Sequence, residues 1–116
     1  MNPEIKKKWV EALRSGQYVQ GRNKLRSPSS NDPDFPAPSA FCCLGVLCDV
    51  VDSTQWQPPM DRKPDYMLYG YHSTSTPPDV LDTSGLGRTD EDALVKLNDD
   101  ERWTFNQIAD WIEENL

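Results

Sequence analysis

All three cysteines of the chain lie within one ten-residue stretch, "FCCLGVLCDV" at 41–50, and the single histidine is His72. Thiolate and imidazole are the groups that hold soft metals or build an activated nucleophile, so any chemistry would start from these four residues. A metal needs its ligands on one face. Each helical residue turns by about 100°, which sets Cys43 about 100° and Cys48 about 240° from Cys42 on a shared helix. The sulfurs then point three ways, whereas helical ligand pairs meet at spacings of three or four. No Cys-x-x-Cys occurs, and the spacing predicts no metal site.

Cys43 with His72 is the remaining catalytic option. A thiol near a helix N-terminus gains thiolate character from the dipole, and a Cys–His pair is the smallest activated nucleophile. The segment resembles the catalytic motif of papain-like cell-wall peptidases at Phe41, Cys43, Gly45, Val46 and Leu47, and His72 follows in that family's chain order. It departs from the motif at Leu44, where a small serine is usual, and at Cys42, where an acid is usual. No orienting third residue follows His72 before the break at "STSTPP", and the chain has no room for that family's barrel. Free cysteines are among the most buried residue types and pack as small hydrophobes. The expectation is therefore a packed helix with no catalytic residue; a cysteine hydrolase using Cys43 and His72 is the alternative.

Charge is the next source of chemistry. The net charge is −7, divided unevenly: residues 1–26 carry seven bases and two acids, and residues 77–116 carry three bases and eleven acids. An acidic chain repels nucleic acid, so bulk nucleic-acid binding is not expected. The basic end could meet a phosphorylated ligand through Arg14, Arg22, Lys24 and Arg26, since guanidinium and ammonium groups suit phosphate. Tyr66, Tyr69 and Tyr71 would then supply rings on which a base stacks. "GQYVQGRN" at 16–23 has the glycine spacing of a phosphate loop but lacks its Lys-Ser/Thr ending and follows a helix where the motif needs a strand. No cofactor is expected. "NDDE" at 98–101 lacks calcium-loop spacing and reads as a solvated turn.

The elements that must position these groups are legible in outline. Asn2-Pro3 predicts an N-cap and first turn, with Ile5, Trp9, Ala12 and Leu13 on one face and Ser15-Gly16 as the stop. "QYVQGRNKLR" predicts a short hairpin. Residues 27–39, with four serines and four prolines, predict a flexible loop. Ser39 would cap a central buried helix at about 40–51. Leu68 and its tyrosine neighbours have strand character, with Gly70 as a bulge or turn. Residues 78–83 predict a short helix with a glycine stop, and Thr89 with Asp92 a cap before Ala93, Leu94 and Leu97. Thr104 with Gln107 matches a capping box ahead of the stripe Phe105, Ile108, Ala109, Ile112 and Leu116, with Trp111 at its edge. Glu113 and Glu114 sit where the helix dipole disfavours acids, so a base is expected there, Arg22 or Lys24. The whole reads as one α+β domain over 1–116, with three or four helices on a small antiparallel sheet.

Four pieces, "KWVEALRSGQYVQG", "FCCLGVLCDV", "PPDVLDTSGL" and "LVKLNDDERWTFNQIADWIEENL", together resemble a group of small proteins common in bacteriophage genomes and in some bacteria. The resemblance implies a phage context and carries no chemistry with it. The expected function is a non-enzymatic binding protein, acting in counter-defence or host takeover. It would sequester a signalling nucleotide or occupy a host protein through its acidic helices; a phage structural or housekeeping role is a further alternative. With no apolar signal segment and no span long enough for a membrane, the expected location is the host cytoplasm, with reduced thiols.

Overall fold

The computed structural model describes residues 1–28, 39–57, 68, 69, 72 and 74–116. Helix α1 runs Pro3–Arg14. Asn2 Oδ1 accepts from the backbone N–H of Glu4 and Ile5 at 2.9 and 3.2 Å, and Gly16 at φ +74° ends the helix beyond Ser15. Trp9, Val10 and Leu13 are its buried face. The C-terminal helix α5, Phe105–Asn115, begins at the expected capping box and buries Phe105, Ile108, Ala109 and Ile112. These two helices lie against each other, and α1 also packs on the central helix α2, Cys43–Asp52.

The sheet differs from the expected one. Strands β1 (Val19–Gln20), β2 (Arg26–Pro28) and β3 (Ser39–Phe41) run in the order β1-β3-β2. β3 is parallel to β1 and antiparallel to β2. The hairpin read from residues 17–26 is therefore wrong: its two arms do not pair, because β3 lies between them. β2 and β3 also take up residues 27, 28 and 39 of the expected loop; its residues 29–38 lie outside the described residues. Ser39 is a strand residue, so Cys42 rather than Ser39 caps α2, its sulfur accepting from Gly45 N–H at 3.4 Å. A second, antiparallel pair joins β4 (Trp56–Gln57) to β5 (Leu68–Tyr69), with His72 bridged back to Tyr69. The expected bulge at Gly70 lies outside the described residues.

Two short helices close the other side of α2. α3 is Pro78–Ser84, stopped by Gly85 at φ +72°, and α4 is Arg88–Val95. Thr89 does not cap α4: Gly87 occupies the N-cap, and Thr89 falls inside the first turn. The buried Glu91 ties α4 to the preceding chain, accepting from Thr76 N–H at 3.0 Å, with Arg88 3.6 Å away. After α4 comes a wide π turn at Lys96–Asp100, ended by Arg102 at φ +56° and a Trp103 N–H bond to Leu97 C=O at 2.9 Å. That bond satisfies an orphan carbonyl of the helix end.

Gly45 is the tightest crossing. Leu25 C=O lies so close that a Cβ on residue 45 would be 1.8 Å from its oxygen, and Leu25 C=O also accepts Cys42 N–H at 3.3 Å. The strand segment cannot move away without breaking that bond. Gly45→Ala should therefore cost about 3 kcal/mol or more in urea unfolding, with no folded population at all as the extreme; a loss below about 1 kcal/mol would show that the backbone can yield.

Candidate functional site

The three thiols are all buried. Cys43 is 0 % exposed, and its Sγ lies 3.8 Å from Leu94 C=O. Burial pushes its thiol well above the usual range, with the neighbouring Cys42 adding to the shift. Burial likewise raises Cys42 to about 12, and it raises Cys48 as well. A nucleophilic cysteine needs the opposite, an accessible sulfur and a depressed pKa. His72 belongs to a separate place in the fold, half-buried beside Tyr69 on the rim of a cavity. The geometry gives Cys43 a packing role.

The main chain of Cys43, rather than its sulfur, is the busy part. Its N–H donates to Asn98 Oδ1 at 3.2 Å, and its C=O accepts Trp9 Nε1–H at 2.9 Å. The N–H is one of the orphan donors at the start of a helix, so a buried carboxamide completes the cap that Cys42 begins. The "NDDE" turn is thus not simply solvated: Asn98 is 0 % exposed. Sequence reading missed Asn98 because turn-type residues in series look hydrophilic.

One cluster does gather candidate ligand-binding residues. Tyr18, Phe41, Trp56 and Tyr69 form a row of edge-to-face rings with centroids 5.1, 5.8 and 5.0 Å apart. Such contacts add about 0.5–1.5 kcal/mol each beyond burial. The Arg26 guanidinium lies 5.1 Å from the Phe41 centroid and 5.4 Å from that of Trp56. Beneath the row, Asp49 accepts Tyr18 O–H at 2.5 Å and Trp56 Nε1–H at 2.9 Å. Burial first, and then the bond to Asp49, push the Tyr18 phenol up to about 12; burial pushes Tyr69 to about 12 as well. Both phenols stay neutral, and Tyr18 donates to Asp49. The buried Nε atoms of Arg26 and Arg22 have no hydrogen-bond partner among the described residues. Sequence reading picked out Arg26 and Tyr69 but not Tyr18, Asp49 or Trp56 as one unit. An acid late on an apolar helix was the signal that Asp49 needed buried donors.

The other candidates scatter. Arg14 pairs with Asp110 at 2.5 Å and Glu113 at 2.9 Å across the α1–α5 contact, and Lys6 Nζ approaches Glu113 C=O at 3.4 Å. The base expected near Glu113 is therefore Arg14 with Lys6, not Arg22 or Lys24. Arg22 and Lys24 lie half-buried on the connection between β1 and β2. Tyr66 and Tyr71 lie outside the described residues. Among the described residues no group of three or more His, Cys, Asp or Glu could hold a metal, and no helix is long and apolar enough to cross a membrane.

Thiol labelling distinguishes packing from chemistry. A disulfide-exchange dye at pH 8 should leave all three cysteines unmodified in the native protein and count three in denaturant. Rapid native modification of Cys43 would restore the nucleophile.

No curated protein and no solved structure matches the chain. A family model covers residues 1–91, which take in the ring row, Arg26, Asp49 and the Cys43 main chain, and it ends before Asn98 and α5. With that share of its length matched, the chain belongs to DUF8296, a family of domains of unknown function.

Proposed function

We propose that the protein is a phage-type, non-enzymatic binding domain that works in the host cytoplasm and sequesters a small phosphorylated ligand, a signalling nucleotide, at the Arg26–aromatic face. The observation that carries this reading is Arg26 itself. Its guanidinium is stacked against Phe41 and Trp56, and its buried Nε lacks an acceptor among the described residues. A guanidinium is also the kind of charge-assisted donor that phosphate oxygens pair with. Arg22, on the connection that leads into β2, offers a second guanidinium. Asp49 supports the reading by fixing two of the rings, so little ordering would accompany ligand capture.

A second reading, occupation of a host protein, is favoured by exposed carboxylates on successive elements: Asp82 on α3, Asp92 on α4, and Asp100 and Glu101 after it. None of these four forms an ion pair with a described residue. Such a surface would suit a basic groove.

The purified protein, exposed to infected-cell extract, washed and heated, should release an enriched phosphorylated compound detectable by mass spectrometry. Arg26→Ala should lower the yield about tenfold or more, as expected for losing a charge-assisted contact of ~1.5–3 kcal/mol. Repeated absence of any enriched phosphorylated compound, with a host protein retained instead, would favour the second reading.

A further inference from the structure

A cavity of about 600 Å³ lies beyond the Tyr69 end of the ring row, between the end of α2, β5 and α3. Its size falls within the range of small-molecule sites, about 300–1,000 Å³. Val51, Pro77, Pro78 and Val80 make the apolar part of its wall, and Tyr69 borders it. Two carboxylates, Asp52 from α2 and Asp79 from α3, reach it from different elements, together with His72. Among the described residues lining it there is no lysine or arginine. This is the reverse of the Arg26 face, and a phosphate would be repelled here.

We propose that this cavity is a binding site for a small organic cation, an ammonium group on a short apolar body. Four features of the lining support that class. The carboxylates give the cleft a net negative field, which apolar walls focus. The proline and valine surfaces suit methylene groups. Tyr69 is part of the lining, and ammonium groups are attracted to aromatic rings within about 6 Å of the centroid. Asp52 is also held in place before any ligand arrives: Thr54 Oγ1–H and N–H and Gln55 Nε2–H donate to it at 2.6, 3.0 and 3.1 Å. Those bonds, the Thr54 hydroxyl first, keep its carboxyl below the usual range and so ionised. The site is independent of the phosphorylated-ligand reading, since Arg26 does not line it.

Thermal shift and calorimetry with 1,4-diaminobutane and choline as probes, and 1,4-butanediol as the uncharged control, test the proposal. At least one of the two cations should raise the melting temperature, and the diol should not. Asp79→Asn and His72→Lys should each weaken binding of that cation about tenfold or more, a change of ~1.4 kcal/mol. Asp82→Asn, an exposed acid of α3 outside the cavity, should bind as the unaltered protein does. Asp79 is exposed and His72 only half-buried, so both variants should fold even where Asp52→Asn does not. The proposal is overturned if neither cation binds, if the diol binds equally, or if Asp82→Asn loses as much affinity as Asp79→Asn.

Discussion

The carboxamide of Asn98 is buried where a strand, a turn and the first peptide of α2 meet, and all four of its hydrogen-bonding positions are used. Oδ1 accepts from Gln20 Nε2–H at 3.0 Å and Cys43 N–H at 3.2 Å. Nδ2 donates to Gly21 C=O at 3.0 Å and Asp99 Oδ1 at 2.8 Å. An amide side chain has two acceptor positions and two donor hydrogens, so nothing is left unpaired. Asp99 Oδ1 extends the network to Asn23 N–H at 3.1 Å, and Gln20 Nε2 extends it to Trp103 C=O at 2.7 Å. The π turn supplies what a regular helix end could not, a side chain turned inward among main-chain groups that helix and sheet leave over.

The rest of the structure is registered on that point. Asn98 and Trp9 hold the Cys43 main chain from two sides, and Leu25 closes on Gly45 two residues later. With the start of α2 fixed, Asp49 and Val51 follow at set positions along it. Asp49 then meets Tyr18 and Trp56, and Val51 and Asp52 form part of the cavity wall. The Arg14 pairs with Asp110 and Glu113 are exposed and belong to a class worth about 0–1 kcal/mol. They orient α5 on α1, but Ile108, Ala109 and Ile112 hold it there.

Local signals in the sequence carried the helices well. Asn2-Pro3, Thr104 with Gln107, and the glycine stops at 16 and 85 each act within one turn, and each is found where the residues place it. Non-local pairing was not legible. No pattern in "QYVQGRNKLR" shows that a strand from residue 39 onward will separate its two arms, because strand order is set by what packs on α2. Part of the candidate site was visible as residue types, Arg26 and Tyr69. The rest, Tyr18, Phe41, Asp49 and Trp56, becomes a site only through contacts that span up to 31 positions. Burial also changed the meaning of the cysteines: what looked like concentrated reactivity is the apolar lining of one helix, and the chemistry that matters there is carried by peptide groups.

The central claim is that a buried Asn98, rather than any thiol, organises the Cys43 end of α2. Urea unfolding of Asn98→Ala, with amide exchange followed at Cys43, tests it most directly. The variant would leave the buried N–H of Cys43 unpaired, at about 1–3 kcal/mol, and would free the half-buried C=O of Gly21. The account predicts a loss of about 3 kcal/mol or more, with protection at Cys43 falling first. Stability within about 1 kcal/mol of the unaltered protein, with Cys43 still protected, would contradict it.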